Sequence, residues 1–287
     1  MVPPKKCVPA LKYLAALLVA GVLPLAVWAQ TRGEPAAASP APRRIVSLNL
    51  CADQYLVALA DRAQIAGLTH NAANPEMSAV AGQVRGLRIL GQSAEEVLEI
   101  DPDLVVGMPA RRAAVMPALK PQNYPSVDLK SADSFTTIVE QTRRVAAAVG
   151  RPERGEALVA DMERQLANLP RPGRGRIAAA YQRRGFLTGT GTLIDDLMRR
   201  AGLVNLAGTL GKPALAQLSI EEMVAAQPDF IIVEAGTNRI TDQGTEMLHH
   251  PALRDIPRIY LPQAWTVCGG PAYVQAARSL AAQIARH

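Results

Sequence analysis

The sequence predicts an α/β protein of two lobes separated by a helical segment. Three observations lead there. Short apolar segments alternate with amphipathic ones in both halves of the chain, the pattern of parallel strands with helical crossovers. The stretch from Ser134 to about Pro170 keeps helical spacing on either side of a break at Gly150. One phrase also occurs twice, "SAEEVLEIDPDLVV" at 93–106 and "SIEEMVAAQPDFIIV" at 219–233, 126 positions apart, as expected if each lobe carries the same β-α unit.

The first 29 residues read as a secretory signal peptide. Lys5, Lys6 and Lys12 precede an apolar run that ends in the small-residue cleavage pattern Val27-Trp28-Ala29. Gly21 and Pro24 interrupt that run, and it is short against the ~20 apolar residues of a membrane span. No cysteine follows it closely, so a lipid-modified N-terminus is not indicated, and Cys7 would leave with the peptide. Loss of the three lysines lowers the formal charge from +6 to +3. No basic block remains to track phosphates, so a nucleic-acid partner is not expected. Residues 30–43, rich in Ala and Pro, read as a flexible leader, and export places the mature chain in the periplasm.

The N-terminal α/β lobe is expected over 44–133. Its strands are "RRIVSLNL", "QIAGLTH", "DLVVGM" and "PSVDL"; its helices are "YLVALA", "SAEEVLEI" and "RAAVMPALK". The connecting helical segment, 134–170, consists of "SFTTIVEQTRRVAAAVG", ended by Gly150, and a second helix opened by Pro152 at a tolerated first-turn position. Leu158, Val159, Met162, Leu166 and Leu169 give that second helix one apolar face over about 27 Å. The C-terminal α/β lobe, 171–287, resumes the alternation with "RIAAAY", "LIDDLMRRAG", "SIEEMVAA", "DFIIVEA", "RIYLP" and a final helix "AYVQAARSLAAQIAR".

The repeated phrase has a physical reading. Ser followed three positions later by Glu is a capping box, pairing Ser93 with Glu96 and Ser219 with Glu222. Pro102 and Pro228 end each helix and lead into a buried strand. The first Glu of each copy, Glu95 and Glu221, is not needed for the box. It either favours the positive end of the helix dipole, worth about 0.3–1 kcal/mol, or serves a surface role in both lobes.

Taken in order, "RIVSLNLCADQ", "SAEEVLEIDPDLVV", "GFLTGTGTLIDDLMRRAGLVNLA", "LSIEEMVAAQPDFIIVEA" and "HPALRDIPRIYLPQAWTVCGGP" resemble the iron-chelate and vitamin B12 class of periplasmic substrate-binding proteins, the soluble partners of ABC importers. The likeness runs from Arg44 to the end. It implies two Rossmann-like lobes joined by a long rigid helix, a cleft that holds a metal chelate, no intrinsic cofactor, and a monomer that delivers its ligand to an inner-membrane permease dimer. The chelate would be a ferric siderophore, haem or a corrinoid. Aligned by motif, Glu95 and Glu221 fall where the family docks on arginine pockets of the permease.

Open α/β sheets bind ligands beyond the carboxyl ends of their strands, so the cleft residues are sought in the loops there. These offer Asn49, Asn71, Arg111, Arg112, Tyr181 and Phe186, with His70 as a candidate axial ligand to a chelated metal. Trp265 matches a family position that stacks on ligand. Where vitamin B12 binders present several aromatics, this chain has Asn71 and aliphatic residues, and only 4% of it is aromatic, so a corrinoid is not favoured over haem or another metal chelate. Cys51 and Cys268 could form a disulfide, contact a soft metal in the ligand, or stay inert.

An enzyme is not expected. "GTGTL" lacks the lysine of a nucleotide P-loop, and neither a G-x-S-x-G elbow nor an H-E-x-x-H site occurs. The alternatives left open are a cleft enzyme with a Cys nucleophile beside His70, and a chelate sensor that works without a permease.

Overall fold

A computed structural model of the chain describes residues 40–91, 93–108 and 123–287. The expected signal peptide, most of the leader, the helix "RAAVMPALK", Arg111 and Arg112 lie outside the described residues. No helix among the described residues is long and apolar enough to cross a membrane.

The first lobe is a parallel sheet of β1 (Ile45–Ser47), β2 (Ile65–Thr69), β3 (Ile89–Leu90), β4 (Leu104–Gly107) and β5 (Ser126–Asp128), in the order β3-β2-β1-β4-β5. Alternate residues of its central strands point to opposite faces. Ile45 and Val106 meet α1 (Leu50–Leu59) on one face, whereas Val46 and Val105 meet α2 (Ala94–Ile100) on the other. Both faces are covered, so the strands read as continuous apolar runs.

Two helices join the lobes, α3 (Phe135–Ala148) and α4 (Pro152–Ala167). Ile138 and Val139 near the start of α3 lie in the core of the second lobe, and Val145, Ala146 and Val149 at its end lie in that of the first. Leu158 of α4 packs against both cores. Burying each large apolar side chain contributes about 1.5–3 kcal/mol, so the connection is a packed part of both lobes and not a loose hinge. The helices approach closely at Gly155, where a Cβ would collide with the Cβ of Ala146. Arg151 and Arg154 at the start of α4 pair with Asp61 of the first lobe, Arg154 at 2.7 Å.

The second lobe contains β6 (Ile177–Ala180), β7 (Phe186–Thr188), α5 (Leu193–Arg200), β8 (Val204–Asn205), β9 (Leu215–Gln217), α6 (Ile220–Ala226), β10 (Phe230–Glu234), β11 (Arg258–Leu261), a single-turn α7 (Gln263–Thr266) and α8 (Tyr273–Ile284). Its parallel sheet runs β11-β10-β6-β8. β7 and β9 form a separate antiparallel ribbon, with Phe186 opposite Gln217. This ribbon and the short strands β3 and β8 were not expected from the sequence.

The repeated phrase folds alike in both lobes. Ser93 Oγ accepts from the Glu96 amide at 3.4 Å and Ser219 Oγ from the Glu222 amide at 3.1 Å. In the second copy the box closes, with Glu222 accepting from the Ser219 amide at 3.0 Å. Each helix ends on a left-handed residue, Asp101 (φ 50°) or Gln227 (φ 44°), directly before the proline. The aspartate after the proline also has a task. Asp103 accepts from the Arg44 amide at 2.8 Å and Asp229 from the Ile177 amide at 2.7 Å, so each pins the start of the strand beside its own.

Candidate functional site

Three cavities adjoin where the carboxyl ends of both sheets face each other. The first-lobe cavity, about 360 Å³, is reached by the loops after β1, β2 and β4, which bring Leu48, Asn49, His70, Asn71 and Met108 to its wall. The second-lobe cavity, about 240 Å³, is lined from the ends of β6, β10 and β11 by Gln182, Arg183, Glu234 and Gln263. A third, about 310 Å³, lies between them and includes Lys130, Asp133 and Ile194. Sites of this kind occur at strand carboxyl ends because the backbone groups and helix starts gathered there are open to a ligand.

The first-lobe cavity is mainly apolar, with Met77, Leu90, Val97 and Met108 in its wall. His70 is its one titratable lining side chain among the described residues, because both lining cysteines are bonded. Asn49 shapes the wall while its Oδ1 accepts from the Ala52 amide at 3.0 Å and caps α1. Behind the wall Asp53 is fully buried, accepting from the Thr69 amide at 3.0 Å and the Thr69 hydroxyl at 2.5 Å. Burial pushes its carboxyl up to about 6, against the opposing pull of the Thr69 and Ser47 hydrogen bonds and of His70.

The second-lobe cavity is more polar. Glu234 is half-buried, and burial raises its carboxyl above the ordinary range; Arg183 counteracts this and Glu76 of the first lobe adds to it. Arg183 pairs with Asp242.

Cys51 at the start of α1 and Cys268 after α7 are joined by a disulfide, with Cα atoms 5.3 Å apart. This links the two lobes at the cleft and removes both cysteines as nucleophiles. In the chain-entropy description a loop of this length stabilises the fold by about 5 kcal/mol. Two further contacts fasten the same loop: the Tyr55 hydroxyl donates to the Gly269 carbonyl at 2.8 Å, and Gly269 lies so near Ala132 that a Cβ would collide with the Ala132 Cβ.

Of the expected ligand contacts, Tyr181 lines the second-lobe cavity, whereas Trp265 and Phe186 line none of the three. Trp265 packs against the second-lobe core beside the buried Ala264, while Gln263 and Thr266 of the same single turn, α7, line the cleft. Tyr181 borders the second-lobe cavity but is fully buried, its hydroxyl donating to the Leu218 carbonyl at 2.7 Å and its pKa raised by burial to about 12. Phe186 is half-buried on the β7–β9 ribbon and lines none of the three cavities. Asn49, Asn71 and His70 do line the first-lobe cavity. No cluster of three or more His, Cys, Asp or Glu among the described residues is arranged to hold a metal ion, so His70 would meet a metal only as a single imidazole. Sequence reasoning did not single out Met77, Met108, Glu234 or Val267; Met77 and Met108 lie in the connections that follow β2 and β4, which was the available signal, whereas Glu234 ends β10 and Val267 follows α7.

Glu95 and Glu221 are both exposed at the first turns of α2 and α6. In each, the carboxyl is held below the ordinary range by its own backbone amide, then by the cap serine hydroxyl. The first Glu of each phrase therefore shares in capping.

Residues 45–258 match the family described as periplasmic binding protein. Two hundred and five residues are 25% identical to a cobalamin-binding protein of Halobacterium salinarum, covering 69% of this chain and 56% of that one. The chain thus spans little more than half the length of the curated relatives it matches. The fold is similar to that of the periplasmic heme-binding protein RhuT from Roseiflexus sp. RS-1, with TM-score 0.68, 27% identity and coverage of 85% and 98% of the two chains. It is also similar to the periplasmic vitamin B12 binding protein BtuF of Vibrio cholerae, with TM-score 0.61, 17% identity and coverage of 85% and 96%.

Proposed function

Because this chain belongs to the periplasmic binding protein family, we propose that it captures a metal chelate between its lobes and delivers it to an inner-membrane ABC permease. The observation that carries this reading is the set of three adjoining cavities at the facing carboxyl ends of two parallel sheets. Together they have the size and the mixed lining of a small-molecule site, with an apolar first-lobe wall and polar groups on the second. An extended ligand with an apolar face and a polar edge suits this arrangement. A corrinoid or haem suits it better than a polyanionic siderophore, since among the described residues the lining holds one lysine and one arginine, Lys130 and Arg183, and Arg183 is already paired with Asp242. His70 is the group that would complete the shell of a chelated metal with an open position.

The two exposed glutamates, Glu95 and Glu221, are the proposed permease contacts, one per lobe. Their near-identical setting in the repeated phrase supports a matched role on a two-fold partner. Charge pairing there would set orientation and encounter rate more than affinity.

Native mass spectrometry of protein taken from its own periplasm, followed by titration with cyanocobalamin, haemin and a ferric trihydroxamate, tests the ligand class. Binding of none of the three refutes it. Combined Glu95→Arg and Glu221→Arg should abolish uptake and leave ligand affinity intact; normal uptake in that variant refutes the docking role.

A further inference from the structure

Val267 is the single described residue that lines all three cleft cavities. It is 40% exposed there, an apolar side chain open to the cleft. We propose that Val267 is the specificity-determining residue of the cleft, and that the Cys51–Cys268 disulfide is the positioning device that holds it at the junction of the cavities. The inference rests on the chelate-binding reading above.

The backbone around Val267 is fixed from both lobes. On its N-terminal side Trp265 packs, partly buried, against the second-lobe core, and the Val267 amide donates to the Gln263 carbonyl at 2.9 Å. On its C-terminal side Cys268 is buried and bonded to Cys51 of the first lobe, while Gly269 is held by the Tyr55 hydroxyl and leaves no room for a side chain against Ala132. A residue clamped in this way cannot swing aside for a ligand. Valine is stiff as well, because its branched Cβ restricts χ1. A ligand that occupies both the first-lobe and the second-lobe cavity has to pass over this side chain, so its size sets the thickness that fits. The polar residues on either side orient the ligand; Val267 selects its shape.

The test compares wild type, Val267→Trp and Val267→Ala for binding of cyanocobalamin, haemin and a ferric trihydroxamate. A merely structural role would weaken all probes by a common factor, whereas a selecting role changes their ratio. In Val267→Trp the ratio of dissociation constants for the two best-bound probes should shift about tenfold or more toward the slimmer one. Val267→Ala should shift it the other way, with thermal midpoints of both variants within about 3 °C of wild type. Equal factors for both probes, or no change, overturns the role of Val267.

The disulfide is tested without a variant, by reducing the folded wild-type protein. Amide exchange at 266–269 should accelerate by about tenfold or more, and the probe ratio should move toward that of Val267→Ala. If exchange and ratio both stay as in the oxidised protein, the positioning role is overturned and that of Val267 is judged by its variants alone. If wild type binds none of the probes, the chelate reading fails and this inference falls with it.

Discussion

Asp53→Asn isolates the cost of holding a buried carboxylate behind the cleft wall. Asp53 is fully buried, and its carboxyl rises from 3.8 to about 6 in spite of the hydrogen bonds it accepts from Thr69. A rise of about two units corresponds to about 3 kcal/mol against the ionised folded state. The folded pKa lies above the unfolded one, so between pH 3.8 and about 6 the folded state binds more protons and stability falls as pH rises. The penalty is small near pH 4 and complete above about pH 7. The amide of the Asp53→Asn variant would carry no such penalty and keeps an acceptor for the Thr69 amide. The stability difference, Asn variant minus wild type, should therefore be about 2 kcal/mol more favourable to the variant at about pH 8 than at about pH 4. Urea unfolding of both proteins at the two pH values, with the disulfide intact, measures this, and subtraction cancels every other titrating group the two share. A difference constant to within about 0.5 kcal/mol would refute the account of Asp53 as a carboxylate strained by burial.

Two more predictions concern the lobe junctions. Gly269→Ala forces a methyl into the Ala132 Cβ and to within 2.9 Å of the Ala132 carbonyl oxygen; overpacking of this kind should cost about 1–3 kcal/mol in urea unfolding, and wild-type stability would contradict the tight seating of the loop. Asp61, hydrogen-bonded first by Arg151 and then by Arg154, has its carboxyl lowered from 3.8 to about 2. Its contribution is fully present above pH 3.8 and is lost as pH falls through about 2. Carboxyl NMR should therefore show Asp61 still charged at about pH 3, and an ordinary titration midpoint would exclude the tie between α4 and the first lobe.

The cap serines give the proposed docking glutamates a second meaning. Glu95 and Glu221 are drawn to their own helix starts, so contact with a permease would exchange these hydrogen bonds for arginine partners. An exchange of one set of hydrogen bonds for another would keep the net affinity of such a contact low.

Much of the fold was legible along the chain because it rests on local rules. Apolar runs in "RIVSL", "DLVVG" and "DFIIVE" become strands covered on both faces, and the Ser-x-x-Glu and Pro-Asp signals fix where the helices between them begin and end. The repeat of 93–106 at 219–233 carried the two-lobe architecture for the same reason, since one local phrase folds the same way twice. That Asn49, Asn71 and His70 reach the first-lobe cavity also follows from a local rule, because all three lie just beyond strand ends. What stayed open depended on contacts between distant residues. Periodicity could not orient Trp265, because a single helical turn has too few positions to define a face, and packing against the second-lobe core decides it. The antiparallel pairing of 186–188 with 215–217 leaves no local mark on either strand. The choice among disulfide, ligand contact and inert thiol for Cys51 and Cys268 was closed only by the meeting of two loops 217 residues apart. That same meeting sets Val267 where the three cavities join: the sequence by itself marked the central strands, the helices between them and their caps, but the packing of two lobes against one loop decided which side chains face the cleft.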